Sequence, residues 1–188
     1  MVTNIRHLTV EEYLAFDDAS EIRNEYIDGE LIPMPGGSNH YSVIIAYAIV
    51  ALANALGEKD CIIRSSDMRV CIDETKYVYP DVSVVCGEAI FADENETILL
   101  NPTVVVEVTS PSSIERDHVD KLAYYGAVPS IQCYLILDQT RVFAECYSRA
   151  EDGWSLRQYA SLDDVISLDA LACSLALAEV YRRIVFED

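Results

Sequence analysis

The sequence predicts an α/β fold in which a mixed β-sheet core is flanked by helices, with a helix and a hairpin at the N-terminus. Helical and strand patterns alternate along the chain. Two continuous apolar runs, residues 81–86 and 103–109, are typical of strands covered on both faces. With 188 residues and a 51% hydrophobic composition, the chain is long enough for one well-packed domain, which we expect to span residues 1–188.

The first elements are a helix and a hairpin. Thr9 and Glu12 form a capping-box pattern, which predicts a short helix to about Phe16, followed by an acidic connector over residues 17–21. The sequence EYIDGELI at residues 25–32 predicts a hairpin, because Asp-Gly between β-prone flanks favours a type I′ turn.

The longest predicted helix follows a loop at residues 33–39. It covers residues 40–56, with Ser38 or Asn39 as its cap, and Gly57 ends it. Apolar residues surround it almost completely, so we expect it to be buried on most sides.

The remaining chain predicts strands on either side of one helix. Alternation over residues 60–72 predicts a single strand, and the SPSS sequence at residues 110–113 breaks the second buried strand before a helix. The later elements are a helix over residues 114–126, strands over 131–138, 142–149 and 154–159, and a final helix over 171–182.

The charge balance argues against a tight, non-specific nucleic-acid binder. The chain has 13 Lys and Arg against 32 Asp and Glu, a net charge of −19, whereas such binders neutralise phosphates with many cations. A local basic groove or a contact through a metal ion stays open.

The cysteines and the N-terminus indicate a cytoplasmic protein. The six cysteines form no C-x-x-C motif, so we expect buried free thiols in a reducing compartment. The N-terminus lacks a signal-peptide pattern. The apolar run at residues 43–56 is too short to span a membrane, and we expect no membrane partner.

Glu107 interrupts an apolar strand and is the sharpest clue to function. A buried carboxylate is costly unless it is paired, protonated or bound to a metal. Alternation puts Glu107 and Thr109 on one face of the strand and the valines at 104, 106 and 108 on the other. A salt bridge to Arg64 or Arg69 is the structural alternative.

Asp81 and Lys121 complete a candidate constellation. Asp81 opens a strand that we expect to neighbour the Glu107 strand, and two such carboxylates can share Mg²⁺. Asp117, Lys121 and Tyr125 recur on one helix face. Lys121 would orient the attacking water and offset transition-state charge, or it would form a surface ion pair with Asp117. Two acids and a lysine indicate a metal-dependent phosphodiesterase.

Several motifs resemble those of the Uma-type endonuclease family, which has the restriction-endonuclease-like PD-(D/E)XK fold. They are YPDVSVV at 79–85, VEVTSPS at 106–112, Asp117 with Lys121 and Tyr125, the hairpin at 25–32 with Met34-Pro35 and His40, and YLILD at 134–138. The resemblance covers residues 8 to 182.

The resemblance implies a Mg²⁺- or Mn²⁺-dependent nuclease with Asp81 and Glu107 as metal ligands and DNA, more than RNA, as substrate. Lys121 would be the lysine of the fold, moved from the strand to the helix, since Thr109 occupies its usual position. Glu25 would extend the acidic cluster. His40 would position substrate, or else cap its helix or pack in the core.

Three functions are therefore open: a nuclease, a non-catalytic binding or scaffold protein of the same fold, and a phosphodiesterase for small nucleotides. The charge of −19 and the presence of only three lysines favour the second. Exposed sheet edges in this class predict a homodimer.

Overall fold

The structure is a computed structural model that describes residues 7–34, 36–109 and 113–186. Pro35 and residues 110–112 belong to motifs quoted above. They lie outside the described residues, as does most of the predicted strand break at 110–113.

The described helices alternate with strands, as predicted. The helical segments are α1 (Val10–Ala19), α2 (Asn39–Leu56), α3 (Ile114–Arg116), a π-helical stretch (Asp117–Lys121), α4 (Leu122–Ala127), a 3-10 turn (Asp169–Leu171) and α5 (Leu177–Val180). The strands are β1 (Asn24–Ile27), β2 (Glu30–Pro33), β3 (Cys61–Ser65), β4 (Arg69–Asp73), β5 (Lys76–Val78), β6 (Val82–Cys86), β7 (Ile98–Leu99), β8 (Val104–Thr109), β9 (Cys133–Asp138), β10 (Ala144–Ala150), β11 (Gly153–Tyr159), β12 (Val165–Leu168) and β13 (Cys173–Ala176).

The strands form two large sheets and one small one. The six-stranded sheet has the order β11-β10-β9-β8-β6-β3, and it is mixed because β8 and β9 run parallel while the other neighbours are antiparallel. The five-stranded sheet has the order β2-β1-β5-β4-β7, and β12 pairs with β13. The central pair β6–β8 joins the two strands that the sequence singled out.

The two faces of β8 pack against different clusters. Val104, Val106 and Val108 belong to the core cluster under α2. Val105 belongs to a second cluster with Tyr125 and Tyr134. Glu107 therefore lies on the face of Val105, as the alternation predicted.

The N-terminal helix and hairpin form as predicted, but the helix is longer than expected. Thr9 and Glu12 form the predicted capping box, but α1 continues to Ala19 rather than ending near Phe16. The hairpin turn has positive φ at Asp28 (49°) and Gly29 (97°), as a type I′ turn requires. Gly29 also has no room for a side chain, because an added Cβ would lie 2.5 Å from Nδ1 of His7.

The expectation that α2 is buried on most sides is wrong. Ser38 caps it and Gly57 ends it, but one face carries its buried residues, while Val50 on the outer side is 51% exposed. By length and composition alone, α2 could cross a membrane, and 28% of this 18-residue helix is buried in the structure. Its outer apolar residues are therefore not covered by the described part of the chain.

Two predicted elements are wrong because tertiary pairing overrides local pattern. The strand expected over residues 60–72 is broken by a turn, closed by the Met68 N–H donating to the Ser65 carbonyl at 3.1 Å. As a result, β3 and β4 join different sheets. The helix expected over residues 171–182 is divided into the four-residue strand β13, which pairs with β12, and the four residues of α5.

The prediction of six free thiols is also wrong. Cys61 and Cys86 lie directly opposite each other in the β3–β6 ladder and form a disulfide. The four other cysteines, at positions 71, 133, 146 and 173, are free.

Candidate active site

Asp81 and Glu107 meet where β6 begins and β8 ends. Val82 lies opposite Val106 in the antiparallel ladder, so one residue further along the register sets Asp81 opposite Glu107. The Val108 N–H donates to Asp81 Oδ2 at 2.7 Å, and the Tyr41 hydroxyl donates to Asp81 Oδ1. Both hydrogen bonds fix the Asp81 carboxylate at the edge of the sheet.

The partner of Glu107 is Lys121. The Lys121 Nζ lies 2.7 Å from Glu107 Oε1, and the Tyr125 hydroxyl donates to the same oxygen. The alternative of a salt bridge to an arginine is wrong. Arg69 pairs with Asp17 at 2.7 Å, and the Arg64 guanidinium lies over the Phe91 ring.

Lys121 is buried and contacts three carboxylates. Besides Glu107, its Nζ lies 3.4 Å from Glu25 Oε1 and 3.9 Å from Asp117 Oδ1. The alternative of a surface Asp117–Lys121 pair is therefore wrong, because both side chains are only 5% exposed. The π-helical turn carries both residues, and such turns are frequent at functional sites.

Glu25 brings the hairpin into the site. It lies on β1, its side chain is 1% exposed, and its Oε1 accepts the Tyr79 N–H at 3.2 Å. The Arg116 guanidinium pairs with its other oxygen, Oε2. Glu25 thus joins the acidic cluster, where the sequence expected it, together with an arginine that the sequence analysis did not name.

Thr109 and His40 occupy different surroundings. Thr109 is buried on the Glu107 face of β8, with its Oγ1 3.4 Å from the Ser113 hydroxyl, and it does not line the cavity that holds Glu107. His40 does line that cavity, and its ring meets Phe186 edge-on at 5.5 Å between centroids. The cap of α2 is Ser38, so a capping role for His40 is excluded.

The charged residues of the site share one cavity of about 740 Å³. Four carboxylates and two cations line it: Glu25, Asp81, Glu107, Asp117, Arg116 and Lys121. When all six are ionised, the cluster has a formal charge of −2. Arg116 and Lys121 are the only Lys or Arg among the lining residues that the structure describes.

Burial and the excess of negative charge together raise the pKa values of two of these acids, Asp81 and Glu107. Burial raises the pKa of Glu107 to about 8, and the nearby acids add to this against the pull of Lys121. Burial likewise raises the pKa of Asp81 to about 6, against the hydrogen bonds from Tyr41 and Val108. Burial opposes the charge of Lys121, but the three acids outweigh it and raise the lysine pKa, so the ammonium stays protonated.

Glu25 shows the opposite shift. Burial would raise its pKa, but Lys121 and Arg116 together lower it. The cluster therefore divides into a neutralised group around Glu25 and an under-neutralised pair, Asp81 and Glu107.

A divalent cation fits this donor set by charge and by chemistry. Mg²⁺ prefers oxygen ligands and often takes only one or two carboxylates together with waters. Asp81 and Glu107 provide carboxylate oxygens, and the two hydrogen bonds that described residues donate to the Glu107 side chain both end on Oε1. Within residues 7–34, 36–109 and 113–186, no three His, Cys, Asp or Glu side chains form a ready metal site.

The sequence analysis missed three residues of the site: Arg116, Tyr41 and Gln139. Arg116 directly precedes Asp117 and could have been found as a cation beside the predicted helix face. Tyr41 and Gln139 give no local signal, because the partner of each is far away in sequence: Asp81 for Tyr41 and Ser38 for Gln139.

The comparisons with known proteins identify the family. Residues 10–179 match the model of the family described as "Uma2: Putative restriction endonuclease". The chain belongs to this family. Membership in the Uma2 family confirms the resemblance that the motifs at residues 79–85 and 106–112 indicated.

Relatives and a solved structure extend along almost the whole chain. "Uncharacterized protein slr1290" of Synechocystis sp. is 35% identical over 182 residues, covering 95% of this chain and 94% of the relative. "Uncharacterized protein sll1609" of the same organism is 33% identical over 160 residues, covering 84% and 90%.

A crystal structure from Anabaena variabilis, titled as "a putative nuclease belonging to DUF820", superimposes with a TM-score of 0.76. It is 17% identical to this Uma2 member and covers 93% of this chain and 97% of its own. This likeness shows the restriction-endonuclease-like fold and confirms the predicted fold class.

Proposed function

We propose that this chain is a metal-dependent endonuclease that hydrolyses phosphodiester bonds in nucleic acid. The observation that carries the proposal is the buried convergence of Asp81, Glu107 and Lys121 in one open cavity. The description of the Uma2 family as "Putative restriction endonuclease" supports it and favours DNA over RNA.

Asp81 and Glu107 would hold Mg²⁺ or Mn²⁺ at the ends of β6 and β8. When bound, such an ion lowers the pKa of a water and offsets charge on the scissile phosphate. Tyr41 and Tyr125 would keep the two carboxylates in place through their hydrogen bonds. The donor set then needs little reorganisation when substrate enters.

Lys121 would act on the nucleophile and the transition state. Its protonated Nζ, already beside Glu107, would donate a hydrogen bond to the attacking water and orient it toward the phosphorus. Arg116 and Asp117 would act indirectly. Arg116 neutralises Glu25, while Glu25 and Asp117 hold the Lys121 side chain at the site.

Substitution of each residue tests the assignment. We expect Asp81→Asn, Glu107→Gln and Lys121→Ala each to lower the cleavage rate by at least about 100-fold, the scale of losing one electrostatic group at such a site. Their far-UV circular dichroism should match that of the wild type. Glu145→Gln is the matched control, a buried glutamate on β10 that does not line the cavity. Wild-type rates in any of the three site variants would remove that residue from the mechanism.

A non-catalytic scaffold of the same fold is the second candidate. Thr109 in place of a strand lysine and the charge of −19 both favour it. A Mn²⁺ titration separates the two functions. One equivalent bound by the wild type and lost in Glu107→Gln supports the nuclease, and no uptake supports the scaffold.

A further inference from the structure

Several residues that line the cavity take no part in the proposed chemistry. Beyond the acidic cluster, its wall is apolar and aromatic: Pro33, Met34, His40, Val185 and Phe186. The rings of His40 and Phe186 pack edge-on at 5.5 Å between centroids. A wall of this kind suits a flat apolar ligand group rather than a phosphate.

Gln139 places an unused hydrogen-bond donor at the same cavity. Its side chain is only 9% exposed, and its Oε1 accepts a hydrogen bond from the Ser38 hydroxyl. Within the described part of the chain, no group accepts a hydrogen bond from its amide NH₂. The amide nitrogen is not one of the buried unpaired atoms among the described residues, so it is accessible and can donate to an acceptor on a ligand in the cavity.

The charge of the cavity limits how many phosphates it can bind. Its two cations are already paired with carboxylates, and the chain as a whole has a charge of −19. A duplex held by its backbone would need many free Lys or Arg. The volume of about 740 Å³ lies in the range of pockets for small ligands.

We propose that this cavity binds a single unpaired nucleotide, in single-stranded or bulged nucleic acid, next to the bond that is cut. The base lies against the His40–Phe186 wall and accepts a hydrogen bond from Gln139, while its phosphate lies beside the metal ion that Asp81 and Glu107 would hold. Unpaired bases are commonly recognised in this way, by aromatic contact and by hydrogen bonds to their edges. The inference rests on the proposed nuclease function and names its substrate class.

Binding and cleavage of three matched oligonucleotides test the inference. The probes are one fluorescently labelled single strand, its perfect duplex and the same duplex with a three-nucleotide bulge, each with Mn²⁺. Fluorescence anisotropy gives the affinity and gel analysis gives the cleavage rate. We expect the single strand and the bulged duplex to bind at least about 10-fold more tightly than the perfect duplex.

Two variants test the subsite itself. Gln139→Met keeps the side-chain size but removes the donor, and Phe186→Ala removes part of the wall. Each should weaken single-strand binding by about 5- to 10-fold, the effect of losing one hydrogen bond or one stacking contact. Gln132→Met is the matched control, since Gln132 lies outside the cavity and bonds the Pro129 carbonyl.

The outcomes separate the substrate class from the nuclease function. Equal cleavage of perfect duplex and single strand would keep the nuclease and overturn the unpaired-nucleotide subsite. Single-strand binding that depends on Gln139, without cleavage of any probe, would support the subsite and contradict the nuclease. Equal binding of all probes, unchanged in Gln139→Met, would overturn the inference.

Discussion

At the scale of single residues, two of the buried charge clusters differ in the balance of acids and cations. In the cavity, Asp81 and Glu107 are acids with too few cations around them, and burial raises their pKa values. In the other cluster, Asp17 is fully buried with Arg69 and Tyr79. The first cluster is suited to binding a cation and the second to holding α1 against β4.

The Asp17 cluster predicts a pH-dependent stability. Burial alone would raise the pKa of Asp17, but the hydrogen bonds from Tyr79 and Arg69 outweigh it and hold the pKa below the usual 3.8. A lowered folded-state pKa means that the stabilisation is complete above about pH 4 and is lost as the pH falls through the folded-state value. We expect Asp17→Asn to reduce the free energy of unfolding by about 3 kcal/mol at pH 7, because it leaves Arg69 without its buried partner.

Urea unfolding at pH 7 and at pH 3 measures this effect, with Asp18→Asn as the control. Asp18 also pairs with Arg69, at 2.9 Å, but its side chain is 66% exposed, so its loss should cost about 0.5 kcal/mol. The difference in the free energy of unfolding between wild type and Asp17→Asn should be smaller at pH 3 than at pH 7. An equal difference at both pH values would show that the Asp17 charge does not provide the stabilisation.

At the scale of elements, the strands at the site could be predicted and their surroundings could not. Residues 81–86 and 103–109 are continuous apolar runs, and they became β6 and β8 because burial on both faces determines such strands. The break after Ser65 leaves β4 free to pair with β7, a partner distant in sequence. Local pattern carries no information about that partner. The strand β13 pairs with the nearby β12, and its short apolar sequence did not distinguish a strand from a helix.

The residues of the site likewise fall into those that the sequence could predict and those that it could not. Glu107, Asp81 and Lys121 were predictable because each is polar in an apolar element. Arg116 and Tyr41 became part of the site only through the approach of Glu25 on the hairpin and of Asp81 below α2.

The disulfide between β3 and β6 predicts a stability that depends on redox conditions. It closes a loop with a sequence separation of 25 residues, for which the loss of unfolded-state entropy corresponds to about 3 kcal/mol. Without reductant, Cys86→Ala should lower the free energy of unfolding by that amount. With reductant, wild type and variant should differ by less than about 1 kcal/mol.

Cys173→Ala is the control for this experiment, since Cys173 is free and only partly buried. Reductant should change the free energy of unfolding of Cys173→Ala by the same amount as that of the wild type. Rapid alkylation of both Cys61 and Cys86 in the native, unreduced protein would contradict the pairing.

At the scale of the whole molecule, the charge of −19 distinguishes this chain from proteins that bind a nucleic-acid backbone. If the cavity binds only one or two phosphates, few counterions are released on binding. The plot of log affinity against log salt should then have a slope no steeper than about −2.

Anisotropy titrations of a single-stranded oligonucleotide between 50 and 300 mM NaCl, at fixed Mn²⁺, give this slope. Lys59→Ala serves as the control, since its ammonium bonds the Leu171 carbonyl away from the cavity. Its slope should equal that of the wild type. A slope of about −6 or steeper would indicate an extended basic surface, contrary to this account.

A homodimer remains a prediction at this scale. The strand β11 ends the six-stranded sheet, and most of its residues are exposed. Light scattering during gel filtration gives the mass in solution. A mass of twice 21.0 kDa would support pairing of two copies. A mass of 21.0 kDa at all concentrations would exclude it.

The most direct test of the central claim is cleavage of supercoiled DNA, single-stranded DNA and RNA by the purified protein with Mg²⁺, with Mn²⁺ and with EDTA, alongside Glu107→Gln. The account predicts cutting of at least one substrate that requires the metal and is absent from the variant. Cutting that persists in EDTA or in Glu107→Gln would contradict the assigned site, and no cutting of any substrate by folded, metal-loaded protein would contradict the nuclease.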